Sequence, residues 1–230
     1  MRRRGVTVPA TRVYLEVGAK RVFACALDWP GWCRSGRTED EALTRLAEYA
    51  ARYAVVAEMA GVSAPGTPPA FEVVDRIAGS TTTDFGAPGA IPLADAEPAS
   101  PAEAERLVDL VRAAWTVLDE VAASAPASLA KGPRGGGRDR DKMLQHVLSA
   151  EASYARYLGV RHREPAFDDL AAVADVRTAV AGALSDRLTS APAEGQRGPA
   201  RYAARRVAWH VLDHAWEMED RGGLDPRRSG

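Results

Sequence analysis

Cysteine, lysine and histidine are scarce in this chain of 230 residues, and no long apolar run occurs. The two cysteines, Cys25 and Cys33, form no metal-binding pattern; they read as two buried thiols, with a single disulfide as the alternative. Only Lys20, Lys131 and Lys142 are lysine among 30 basic residues, a bias that fits a GC-rich bacterial coding sequence. Charge of one sign is also missing. The formal net charge is -1, so no overall positive field gathers nucleic acid or an anionic membrane. No apolar stretch approaches the roughly 18 residues of a spanning helix. The basic start Met1 to Arg4 is followed by neither an apolar core nor a small-residue cleavage site, so a cytoplasmic protein is expected.

What is present is ordinary for a folded protein: 46% hydrophobic and 27% charged residues, on a chain long enough for two cores. Val13, Leu15 and Val17 alternate with Arg12, Tyr14 and Glu16; Gly18-Ala19-Lys20 then offers a turn before the apolar run Val22 to Leu27. This predicts a β-hairpin, with a short third strand over Cys33 to Arg37. Thr38 and Glu41 have the spacing of a capping box, and Leu43, Leu46, Ala47, Ala50, Tyr53, Ala54 and Ala57 predict one helix that ends at Gly61. Phe71 to Ile77 reads as a further strand, and Gly79 to Ser100, rich in Gly, Pro, Thr and Ala, as a linker.

Four helices are expected after that. Ser100-Pro101-Ala102-Glu103 supplies a second capping box, with Pro at the first helical position, ahead of the stripe Leu107, Val111, Ala114, Trp115, Leu118 and Val121. Pro126 to Gly137 is a loop, and helices follow over Asp139 to Leu158, Asp169 to Leu188 and Ala200 to Asp220, with a polar loop from Ser190 to Pro199. The expected fold class is therefore α+β: residues 1–78 as a small sheet with one helix, 79–99 as linker, and 100–230 as an all-α four-helix bundle.

Histidine occurs four times, as His146, His162, His210 and His214. His210 and His214 are spaced i, i+4, which places both rings on one helix face about 6 Å apart along the axis and suits capture of one ion. They share their stripe with Val207, Val211 and Met218, so they face the interior. A third ring, from His146, would complete a set that leaves positions open for water or substrate. Lys142, Ser149 and Ser153 line the same strip as His146 and are candidate substrate contacts. Glu217, one turn past His214, is a candidate for orienting that ring or for acid/base work. His162, just past Gly159, is assigned no site role, and Trp115, Trp209 and Trp216 read as packing. The bare spacing is equally compatible with a solvated helix face.

The stretches Asp141-Lys-Met-Leu-Gln-His146 to Tyr157-Leu158 and Arg206-Val-Ala-Trp-His210-Val-Leu-Asp-His214-Ala-Trp-Glu217 resemble the DinB-like superfamily of metal-binding four-helix proteins. The resemblance spans Ser100 to about Asp220 and implies a divalent ion, zinc or nickel first among the candidates, held by His146, His210 and His214. It also implies a transferase or isomerase that uses a low-molecular-weight thiol against an electrophilic small molecule. Ala26-Leu27-Asp28-Trp29-Pro30-Gly31-Trp32 followed by Gly36-Arg37-Thr38-Glu39-Asp40-Glu41-Ala42 resembles a HicB-like α/β domain. In that family the fold binds a toxin and an added segment binds DNA. No such segment is evident here, and packing or homodimerisation is the favoured role. The competing expectation is a non-enzymatic partner-binding or regulatory protein in which the metal is structural.

Overall fold

The structure, a computed structural model, describes residues 10–132, 137–191 and 197–224. The basic start Met1 to Arg4, Pro133 to Gly136 of the first interhelical loop and Pro192 to Gln196 of the polar loop lie outside the described residues. The chain divides into two compact units, Met1–Asp28 with Trp32–Ala90, and Trp29–Gly31 with Ile91–Gly230. No helix among the described residues is long and apolar enough to cross a membrane.

In the first unit, β1 (Thr11–Val17) and β2 (Val22–Ala26) form the expected antiparallel hairpin, with Val13 opposite Ala26 and Val17 opposite Val22. Strand β3 (Cys33–Gly36) pairs with β2, and β4 (Phe71–Ala78) runs parallel to β1, giving the order β3-β2-β1-β4. A parallel neighbour needs a crossover. Helices α1 (Glu39–Glu48) and α2 (Ala50–Met59) lie in that connection. Cys25 and Cys33 face one another across β2 and β3 as free, buried cysteines with sulfurs 2.6 Å apart. Burial is the main force that raises the Cys33 pKa.

Two expectations change in this unit. The single helix after Thr38 is divided at Tyr49, whose ψ of 1° departs from helical geometry. The indole of the fully buried Trp32 donates to the Leu46 carbonyl at 2.9 Å, taking the acceptor on which a continuous helix would have placed the Ala50 amide. Trp32 also stacks on Tyr53 with ring centroids 5.3 Å apart, so the break seats an indole in the core. Thr38 caps α1 by accepting from the Glu41 amide, while the Glu41 carboxylate accepts from the Arg37 amide.

The second change concerns the segment read as a linker. It carries α3 (Thr81–Phe85) and a 3₁₀ turn over Leu93–Ala96. Its anchor is Glu16, which is fully buried. The Glu16 carboxylate accepts from the Thr83 hydroxyl, from the Gly89 amide at 2.9 Å and from the Ala90 amide at 2.9 Å. A buried carboxylate requires such donors, and residues 83–90 close over β1 to supply them.

The second unit contains four long helices: α4 (Pro101–Ser124), α5 (Arg140–Tyr157), α6 (Leu170–Leu188) and α7 (Ala200–Gly222). Their ends follow the sequence signals. Ser100 accepts from the Glu103 amide, Asp169 accepts from the Ala172 amide, and Gly223 closes α7 in the left-handed conformation at φ 67°. The Glu103 carboxylate reaches Arg201 at 2.8 Å. Helix α7 packs on α4, α5 and α6, and α6 also touches α4 and α5. Because α7 is covered from three sides, its polar residues are buried with its apolar ones, among them Arg205, His210 and Glu219. Arg205 forms a two-pronged ion pair with the buried Asp95 of the 3₁₀ turn.

Candidate metal centre

His210 and His214 project from α7 one turn apart, and His146 reaches them from α5. The three rings form a nearly equilateral triangle, with centroids 5.0 Å apart for His146 and His210, 5.0 Å for His146 and His214, and 4.7 Å for His210 and His214. One ring nitrogen from each lies within 4.8 Å of the other two. Imidazoles bound to one tetrahedral ion at about 2.0–2.1 Å have nitrogens about 3.3 Å apart, so an inward shift of less than about 1 Å per ring suffices. The residues fit a metal ion.

The protonation chemistry agrees. Burial first, then the charges of His214 and His146 and of Arg206 and Arg138, push the His210 pKa down to about 2. Burial and Arg138 also lower His146. Rings held neutral keep the lone pairs that a cation needs. The Nδ1 atom of His210 is buried with no hydrogen-bond partner, a deficit that a metal bond or an added ligand would remove.

His214 is oriented from behind. Its Nδ1 lies 3.0 Å from Glu217 Oε2, and the other carboxylate oxygen accepts from Arg221 at 2.8 Å. The His214 hydrogen bond is the leading cause of the lowered Glu217 pKa, with Arg221 adding to it. An ionised Glu217 requires the proton on His214 Nδ1, which leaves Nε2 bare for an ion; this is the carboxylate–histidine arrangement common behind metal ligands. Both oxygens of Glu217 are engaged, which suits ring orientation better than proton transfer.

The remaining candidates lie differently. Lys142 and Ser153 are exposed, and Ser149 donates to Glu164 at 2.6 Å. The chain after α5 folds back along this face, where Gln145 also bonds Glu164, Pro165 and Phe167. The polar strip of α5 therefore serves that loop and solvent, and only His146 joins the triangle. His162 is exposed in the same loop. Trp209 and Trp216 are buried as expected, and Trp115, also buried, donates in addition to Glu151.

Sequence reasoning passed over three groups near the histidines. Arg206 lies one turn before His210 on α7, and Tyr154 of α5 has its ring centroid 6.2 Å from that of His210. Arg138 acts on His146 and His210 through its charge. The i−4 relation of Arg206 to His210 was visible in the sequence; the approach of Tyr154 from another helix was not. A cavity of about 890 Å³ lies elsewhere, between α4, α5 and α6, lined by Trp115, Leu118, Leu148, Phe167, Val173 and Arg177 but by none of the three histidines.

Comparison of the chain with family models, with curated proteins and with solved structures yields no match. The centre is therefore read from its own chemistry.

Proposed function

We propose that His146, His210 and His214 hold a divalent metal ion, zinc or nickel, and that α4 to α7 form a DinB-like four-helix bundle built around it. The activity proposed for it is transfer or isomerisation with a low-molecular-weight thiol, directed at an electrophilic small molecule. The observation that carries the reading is the convergence of three imidazoles, one with an orphaned buried nitrogen and one backed by a carboxylate. Three protein ligands suit a centre that keeps a position for an outside molecule, whereas closed structural sites use four.

When bound, the ion would supply Lewis acidity that favours the thiolate of a thiol at that position. The histidines would hold the ion from two helices, His210 and His214 from α7 and His146 from α5. Glu217 would keep His214 in the tautomer that binds, and Arg221 would keep Glu217 ionised. The first unit is read as a HicB-like fold that serves packing or homodimerisation.

Elemental analysis of the purified chain, with a screen of thiol-dependent turnover of electrophiles before and after chelation, tests the proposal. A stoichiometric ion and activity that requires both ion and thiol support it. Activity indifferent to both removes the transferase reading. An ion that raises the melting temperature with no thiol-dependent turnover favours a regulatory or partner-binding protein with a structural metal.

A further inference from the structure

Beside the histidine triangle stands a pair of groups that neither metal binding nor packing explains. Tyr154 lies on α5 two turns past His146, with its ring centroid 6.2 Å from that of His210. Arg206 Nη2 donates to the Tyr154 hydroxyl oxygen at 3.1 Å. A guanidinium only donates, so this bond uses the oxygen of Tyr154, and the phenolic proton has no acceptor among the described residues.

Arg206 is likewise incompletely matched. Its guanidinium sits 4.8 Å from the ring centre of Trp209 and 5.6 Å from that of Tyr154, and its Nε and Nη1 are buried without hydrogen-bond partners. No carboxylate pairs with it among the described residues. The aromatic faces fix the cation in place but leave its charge unneutralised. Arg138 adds a second positive charge that acts on His146 and His210, while the charge of Glu217 is already matched by Arg221. With a divalent ion added, the surroundings of the triangle carry a marked positive excess.

We propose that Tyr154 and Arg206 form an oxyanion subsite beside the triad, so that the molecule taken up at the ion is a carboxylate: one oxygen on the metal, the other accepting the phenolic proton of Tyr154. The inference rests on the metal reading above and adds the class of the electrophile, which would take a further position on the ion beside the thiol, as three protein ligands allow in a five-coordinate centre. A carboxylate fits the groups present, because its second oxygen has a single O–H donor to meet and its one negative charge has a fixed guanidinium behind that donor. Arg206 is a positioning residue, since it acts through the Tyr154 oxygen and through its field. Tyr154 is the group that touches the ligand.

The test uses the full chain loaded with cobalt(II), whose visible absorption reports on its ligands, titrated with acetate and, separately, with inorganic phosphate. Wild type is expected to bind acetate with a spectral change. Tyr154→Phe and Arg206→Gln should weaken acetate binding roughly tenfold or more while leaving cobalt affinity close to wild type. Glu105→Gln, exposed on α4, should behave as wild type. Acetate binding unaltered in both variants overturns the subsite while the metal centre stands, and so does a preference for phosphate over acetate. Failure of the wild-type chain to take up cobalt overturns the metal reading and this inference with it.

Discussion

Glu217→Gln isolates the proposed orienting bond behind His214, because glutamine keeps the shape of the side chain and removes its charge. The wild-type carboxylate accepts from His214 Nδ1 at 3.0 Å and from Arg221 at 2.8 Å. Loss of such an outer partner lowers metal affinity about 10- to 100-fold. At an ion concentration of about 100 Kd, binding stabilises the wild-type fold by about 2.7 kcal/mol. On a domain of this size that is a rise of about 5–11 °C in melting temperature. With affinity lowered by the stated range, the same ion concentration contributes about 0.4–1.4 kcal/mol, and the rise shrinks to about 1–6 °C. The assay is thermal unfolding with and without zinc, read as the difference between the two for each protein, so any change caused by losing the Arg221 pair cancels. An undiminished zinc-induced rise in Glu217→Gln would refute the orienting role.

Three further outcomes are expected. His210→Ala should abolish both ion uptake in elemental analysis and the zinc-induced rise in melting temperature; retention of a wild-type ion content counts against the triad. Glu151 is buried and its pKa is raised to about 7, chiefly by burial. Its unfolded value is lower, so the stability tied to its neutral form is complete below about pH 4.5 and disappears as pH rises through about 7. Glu151→Gln should therefore flatten a decline of up to about 3 kcal/mol between pH 5 and 8 in denaturant titrations, and an unchanged slope would exclude this source. Asp95→Asn removes one carboxylate charge from beside the buried Arg205 cation and should cost about 3–5 kcal/mol in the same measurement; a loss under about 1 kcal/mol would show that the rest of the surroundings of Arg205 compensates.

The elements that could be read from sequence are those whose causes are local. The hairpin, the caps at Thr38 and Ser100, and the long helices all follow from spacing and capping residues within a few positions of one another. The i, i+4 spacing of His210 and His214 is of the same kind, and His146 completes the triangle from a second helix. What stayed hidden depends on partners far along the chain. The break at Tyr49 arises from an indole at Trp32, and the order in residues 80–90 arises from a carboxylate on β1. Gly and Pro in the latter segment reported its composition but not its anchor. The partner of Ser149 on α5 was hidden for a related reason: it bonds Glu164 in the following loop, a contact with no periodic signature. Tyr154 escaped because a tyrosine on an apolar strip looks like packing until an arginine from another helix meets its hydroxyl.

The donors supplied to Glu16 by Thr83, Gly89 and Ala90 bear on how the two halves of the chain are to be separated. A fragment cut after residue 78 would contain every strand of the sheet yet strand a carboxylate in an apolar interior, and it should precipitate or open at its β1 face. Extending the cut to Ala90 restores all three donors for a dozen added residues, so a fragment of the first unit keeps its buried carboxylate satisfied only when it runs that far.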